Sequence, residues 1–278
     1  MREREFEVYG RRLAALSWGE PGATPVLAAH GWLDNAASFL PLAQRLKGFE
    51  LVALDMAGHG QSDHRAADGE YNAWSDLPDI EAVADALGWE QFSLLGHSRG
   101  AIISTLYAST RPDRVRRLAL LDGIIPPPMD PADTPTQLAS FLADKKRLLD
   151  RPGRVFASID EAIAVREDNG LKPEAARLIA ERNVVPAEGG WRWSFDARLR
   201  GASAMKLTLD HIRAVLNGLS MPGLLLLAEK GMRHRAELPE LPDNMRVETM
   251  PGGHHCHMDE AVDEIAVQLQ DFLMETAE

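Results

Sequence analysis

Gln91-Phe92-Ser93-Leu94-Leu95-Gly96-His97-Ser98-Arg99-Gly100-Ala101-Ile102-Ile103-Ser104 is the stretch on which the reading of this 278-residue chain turns. It opens with an apolar run ending at Leu95, passes through a Gly-x-Ser-x-Gly pattern at Gly96, Ser98 and Gly100, and continues with Ile102, Ile103 and Leu106 at helical spacing. A strand, a sharp turn and a helix follow from that order. So tight a turn leaves no room for side chains at positions 96 and 100, and it forces Ser98 into a strained backbone conformation with its hydroxyl exposed. Ser98 is therefore a candidate nucleophile.

The flanking sequence repeats the same alternation. Residues 6–9 and 13–18 read as an edge hairpin around Gly10. Residues 26–29, 51–54 and 224–228 are short apolar runs of the kind buried on both faces of a parallel sheet, 115–121 reads as another buried strand, and 245–250 as a last strand. Between and after them lie helical patterns: one capped by Asp34 or Asn35 and running to about Leu46, one over 75–87 closed by Gly88, and a last one with Val262, Ile265, Ala266, Leu269 and Phe272 on one face. The predicted fold class is α/β: a mostly parallel central sheet with right-handed crossovers and helices on both faces. In such sheets the chemistry gathers at the carboxyl ends of strands, where His30-Gly31, Asp55, Ser98 and Asp122 stand. The alternation stops at Pro126. Residues 126–219 carry helical patterns at 137–149, 161–168 and 173–183, which predicts a helical cap inserted between a first core part, 1–125, and a second, 220–278.

With 42 acidic against 30 basic residues, the net charge of −12 opposes sequence-independent binding to nucleic acid or anionic lipid and leaves a small-molecule substrate as the expected partner. The single cysteine, Cys256, cannot form an internal disulfide. With no apolar run of membrane-spanning or signal-peptide length, a reducing cytoplasm is the expected setting. Oligomeric state is left open.

A serine hydroxyl needs a neighbouring base to attack a carbonyl, and that base needs a partner to hold its tautomer. His254, His255 and His257 crowd one late loop and supply candidates for the base. Together with Cys256 they could also be read as a metal site, but adjacent side chains rarely converge on one ion, so no metal and no cofactor are expected.

The segments His30-Gly31-Trp32-Leu33-Asp34-Asn35, Gly96-His97-Ser98-Arg99-Gly100 and Gly253-His254-His255-Cys256-His257-Met258 together resemble the α/β-hydrolase superfamily, in its serine hydrolase-like, esterase-type branch. The resemblance implies a nucleophile elbow at Ser98, an oxyanion hole from the backbone N–H groups of Trp32 and Arg99, and substrate contacts around His30, Gly31 and Trp32. It implies His254, directly after the paired glycines, as the base. The acid departs from the usual pattern. Relatives of this kind commonly place an aspartate after the strand equivalent to 224–228, and here Ala228-Glu229-Lys230-Gly231-Met232 puts glycine at that position. Asp122, at the end of the preceding core strand, is favoured as the acid, with Glu229 the alternative.

The expected activity is hydrolysis of a carboxylic ester, lactone or thioester through an acyl-enzyme on a Ser-His-Asp triad. A carbon-carbon bond hydrolase or cofactor-free perhydrolase on the same triad, or a near-silent ligand-binding protein of the same fold, are the competing readings. The loop Asp55-Met56-Ala57-Gly58-His59-Gly60-Gln61-Ser62 is expected to be structural, His97 and His257 to be packed, and the Arg99 side chain to pair a carboxylate. Trp32, Trp191 and Trp193 are expected in the pocket or the cap core.

Overall fold

A computed structural model of the chain describes residues 1–149, 153–232 and 238–275. The hairpin of β1 (Arg2–Val8) and β2 (Arg11–Trp18) turns at Tyr9 and Gly10, both at positive φ, the geometry a tight hairpin needs to match strand twist. Next come β3 (Thr24–Ala29), β4 (Phe49–Leu54), β5 (Phe92–His97) and β6 (Val115–Leu121). Three short strands, β7 (Val155–Phe156), β8 (Val184–Ala187) and β9 (Gly190–Trp193), precede β10 (Gly223–Lys230) and β11 (Met245–Gly253). Among the described residues, eight strands form one sheet in the order β1-β2-β4-β3-β5-β6-β10-β11. It is parallel from β4 to β11; β2 alone runs against it, and β1, antiparallel to β2, points the same way as the parallel strands.

The helices are α1 (Leu40–Ala43), α2 (Leu77–Ala86), α3 (Arg99–Thr110), α4 (Thr134–Leu149), α5 (Ile159–Asp168), α6 (Pro173–Asn183), α7 (Leu209–Asn217) and α8 (Val262–Met274). Because successive strand residues point to opposite faces, the central strands split their apolar side chains between two cores. Leu27, Val52, Leu94, Leu118 and Leu225 pack with Ile80 of α2, Ile103 of α3 and Ile212 of α7. Val26, Leu51, Leu95, Ala119 and Leu224 pack on the other face with Phe39, Leu42 of α1 and Ile265 and Leu269 of α8. No described helix is long and apolar enough to cross a membrane.

The segment 126–219 differs from the wholly helical expectation. It holds α4 to α7, and it also holds an antiparallel three-stranded sheet in the order β7-β9-β8. Gly189 and Gly190, both at positive φ, turn β8 into β9, and Trp193 packs edge-on against Phe156 at 5.1 Å. Strands of two to four residues carry too little alternation to stand out from loop, which is why Trp191-Arg192-Trp193 gave no strand signal. The segment is tied to the sheet's carboxyl ends: Arg182 reaches Asp55 at 2.9 Å, and the Asn183 amide donates to the Leu33 carbonyl at 3.0 Å and accepts from Gly60 N–H at 3.1 Å.

The loop after β4 is structural. Asp55 accepts from the N–H groups of Ala36 and Gln61, and the Ser62 hydroxyl donates to the Asp55 carbonyl. Two buried histidines lock it further. His30 donates from Nδ1 to the Gly31 carbonyl (2.8 Å) and accepts the Met56 N–H at Nε2 (3.0 Å), which is possible only for the neutral ring. His59 lies against it at 4.9 Å. Burial lowers the pKa of both from the ordinary 6.5, and for His59 the neighbouring His30 and Arg99 add to the effect. The unfolded chain therefore binds more protons than the native one below pH 6.5, so stability is complete above that value and declines as pH falls through it. Each of the two histidines should cost up to about 1.4 kcal/mol per pH unit in that window. Urea melts between pH 8 and 5 should show the decline, and His59→Gln should flatten it; equal midpoints for the wild type at both ends would contradict this.

Candidate active site

Ser98 links β5 to α3 with φ 52° and ψ −115°, the strained conformation expected at this turn. The glycines around it are obligatory for space. A Cβ at Gly100 would fall 1.9 Å from the carbonyl oxygen of Ala29 in β3, and one at Gly96 would fall 2.5 Å from Ala101 Cα. Backbone cannot retreat as a side chain can, so Gly100→Ala should destabilise the fold by about 3 kcal/mol or more. Chemical denaturation measures this, and an unchanged midpoint would refute the close approach.

Three residues distant in sequence meet at this turn. Ser98 Oγ lies 2.9 Å from His254 Nε2, and His254 Nδ1 lies 2.5 Å from Asp122 Oδ2. The acceptor-only carboxylate fixes the proton of the neutral ring on Nδ1 and leaves Nε2 free to accept the serine proton. Asp122 stands at the end of β6 with φ 45°, and its own N–H donates to the Leu226 carbonyl of β10. Its carboxylate also accepts from the backbone N–H groups of Ala228 (3.0 Å) and Met232 (3.1 Å). Burial pushes the Asp122 carboxyl upward, but the bonds from His254 and these amides outweigh it and hold the group below the usual carboxylate range.

Gly231 leaves the room that the Asp122 carboxylate fills. A Cβ at Gly231 would fall 2.2 Å from Asp122 Oδ1 and 2.5 Å from Oδ2. The space that an aspartate at 231 would enter is filled by the carboxylate arriving from β6. Glu229, on β10, is exposed.

Arg99 begins α3, and its backbone N–H is one of the unpaired donors that every helix start carries. Neither it nor the N–H of Trp32 has an acceptor among the described residues. The Arg99 side chain is turned elsewhere, to Asp76 at 2.7 Å. Ser98, His254 and Trp32 line a cavity of 540 Å³ together with Trp193 and Phe195 from the inserted segment. Trp32 is anchored by its indole N–H to the Leu199 carbonyl at 2.8 Å.

Two of the expected substrate contacts are corrected. His30 is 1% exposed with both ring nitrogens bonded to loop backbone, so it positions the strand end and does not face the cavity. Gly31 is not among the cavity-lining residues; its open side faces Asp34 and His97. Sequence reasoning missed Asp34, Arg166 and His255 as a group. Asn35, not Asp34, caps the helical turn that follows, accepting from Ala37 N–H. Asp34 instead receives Arg166 of α5 at 2.6 Å and His255 at 3.1 Å on the cavity wall. Nothing in linear spacing could have paired position 34 with 166.

A family model described as alpha/beta hydrolase fold matches residues 24–174. The serine hydrolase-like protein of Danio rerio is 28% identical over 92% of this chain and 83% of its own length. The crystal structure of the hypothetical protein PA1622 from Pseudomonas aeruginosa PAO1 is 40% identical with a TM-score of 0.93, covering 99% of this chain and 100% of that one. The thioesterase domain from the curacin biosynthetic pathway is 26% identical with a TM-score of 0.85, covering 99% of both chains. With this match, the mostly parallel sheet and the strained serine between β5 and α3, the chain belongs to the α/β-hydrolase superfamily, in its serine hydrolase-like branch.

Proposed function

We propose that the protein is a serine hydrolase that cleaves a carboxylic ester or thioester through an acyl-enzyme, with Ser98 as nucleophile, His254 as base and Asp122 as its acid partner. The observation that carries this reading is the continuous hydrogen-bonded line Asp122, His254, Ser98 ending at a strained hydroxyl on the wall of a 540 Å³ cavity. As Ser98 Oγ attacks the substrate carbonyl, its proton passes to His254 Nε2, and Asp122 stabilises the imidazolium. The N–H groups of Trp32 and Arg99 hold the oxyanion, a contribution whose removal typically costs roughly 100- to 1000-fold in rate. His254 then protonates the leaving alcohol or thiol. Water enters, gives one proton to His254, attacks the acyl carbon and releases the acid as the proton returns to Ser98.

In this reading 126–219 is a cap that closes the cavity and sets acyl size, since it contributes Arg166, Leu171, Trp193 and Phe195 to the lining. The likeness to a thioesterase domain favours a thioester or oxoester over a carbon-carbon bond. A cytoplasmic setting belongs to the same reading; Cys256 is free and buried, with its thiol pushed up to about 12 by burial and nearby Asp122 and Asp259. Rapid mixing with p-nitrophenyl esters and acyl thioesters is the test. A burst of leaving group approaching one per chain supports acylation of Ser98; hydrolysis without any covalent intermediate, or activity only on carbon-carbon bonds or in perhydrolysis, overturns it.

A further inference from the structure

Beside the proposed triad lies a second constellation that the acyl-transfer chemistry does not use: Asp34, His97 and His255. Their ligand atoms all lie within 4.8 Å of one another. Asp34 Oδ2 is 3.1 Å from His255 Nε2 and 3.6 Å from His97 Nδ1. Three donors each about 2.1 Å from one ion in a tetrahedral arrangement stand roughly 3.4 Å apart, so the two separations bracket what a single ion requires.

The protonation of His97 sharpens the point. Its Nε2 is 2.9 Å from the backbone carbonyl of His254, which can only accept, so a neutral ring carries its proton there. Nδ1 is then a bare lone pair, fully buried, without a hydrogen-bond partner among the described residues, and aimed at a carboxylate oxygen. Lone pair facing carboxylate is repulsive unless a proton or a cation stands between them. Gly31 packs against the pair: a Cβ there would lie 2.7 Å from Asp34 Oδ2 and 2.9 Å from His97 Nδ1, so only glycine leaves these two side chains room at this position. Outer partners are also in place, since His97 donates its other N–H to a carbonyl and Asp34 Oδ1 accepts from Arg166 at 2.6 Å. Asp34 and His255 line the 540 Å³ cavity, which supplies an entry path.

We propose that Asp34 Oδ2, His97 Nδ1 and His255 Nε2 form a binding site for a divalent transition-metal ion of the zinc class, with water completing the shell. Imidazole and carboxylate donors in a compact set of three suit such an ion better than magnesium or calcium, which prefer all-oxygen shells. His254 provides the carbonyl behind His97, and its ring centroid lies 4.7 Å from that of His97. A dication there opposes the imidazolium that must form on His254 during catalysis. The ion is thus an inhibitor, and its site is separate from the proposed nucleophile and acid.

Equilibrium dialysis with Zn²⁺, together with the visible absorption of bound Co²⁺, tests the site without relying on activity. One ion per chain is expected for the wild type and equally for Ser98→Ala. Loss of an outer partner typically weakens metal sites roughly 10- to 100-fold, so His255→Ala, which removes a ligand, should weaken binding by about 100-fold or more. Asp34→Asn should also weaken it, and His211→Ala, in α7 on the exposed surface, should not. Circular dichroism confirms that each variant is folded. No stoichiometric ion in the wild type, or binding indifferent to His255→Ala and Asp34→Asn in folded protein, overturns the site. Because Ser98→Ala still binds the ion, failure of the metal site and failure of the hydrolase reading are distinguishable.

Discussion

Ser98→Ala is expected to lower kcat on a short p-nitrophenyl ester by about 10⁶-fold, the scale seen when a serine nucleophile acting in concert with its base is removed. The substitution deletes only the oxygen 2.9 Å from His254 and retains the Cβ, so the positive φ and the packing of β5 against α3 are kept. Stability should therefore stay close to wild type while activity vanishes. What remains over water would come from the cavity and the N–H groups of Trp32 and Arg99 acting on a bound ester. Steady-state kinetics with highly purified protein reads this directly. Wild-type turnover in the variant would require a different nucleophile, and the position of Ser98 at the turn would then be only a relic of the fold.

Asp122→Asn should cost roughly 10⁴-fold in kcat with little change in KM, because the defect lies in the base and not in the cavity. Asp122 accepts three hydrogen bonds, from His254, Ala228 and Met232, and an amide cannot accept all three: its nitrogen must face one of those donors. If the amide nitrogen faces His254, it fixes the proton on Nε2 and points an N–H at the serine oxygen. The geometry also makes a constructive test possible. Since a Cβ at 231 would lie 2.2 Å from Asp122 Oδ1, Asp122→Ala combined with Gly231→Asp sends a carboxylate into the same space from the loop that follows β10. A misplacement of about 1 Å forfeits on the order of 100-fold, so the double variant should recover roughly 100-fold over Asp122→Ala without reaching wild type. A double variant no better than Asp122→Ala alone would indicate that the acid acts by more than its charge and position at His254.

The parts of this fold that could be read from sequence are those whose cause is local. β6 spans 115–121 as expected, with Leu118-Ala119-Leu120-Leu121 buried in the sheet and Asp122-Gly123 marking its end. Ser98, flanked by glycines whose missing Cβ atoms would strike Ala29 and Ala101, had only one backbone conformation open to it. Asp122 could be favoured over Glu229 only by its place at a strand end, and the reason that it fits, a glycine at 231 just past the neighbouring strand, is a contact between segments distant in the chain. The inserted segment was less legible. Its β7, β8 and β9 are too short to carry a periodic signal, and α7 went unanticipated although Thr208 and His211 form a capping box at its start. His30 was misassigned for a related reason: its strand-end position is shared with cavity residues, but the rotamer that ties it to Gly31 and Met56 is set by packing against His59. The pairing of Asp34 with Arg166 and His255 depends on how the insertion folds back over the sheet, which no linear pattern encodes.

The most direct measurement is the reaction of the protein with a fluorophosphonate, followed by intact mass and peptide mapping. A serine made nucleophilic by His254 should take up one phosphonyl group per chain, located on Ser98, with labelling abolished by Ser98→Ala and strongly slowed by His254→Ala. An unmodified Ser98 in folded wild-type protein, or a label carried by another residue, would contradict the account.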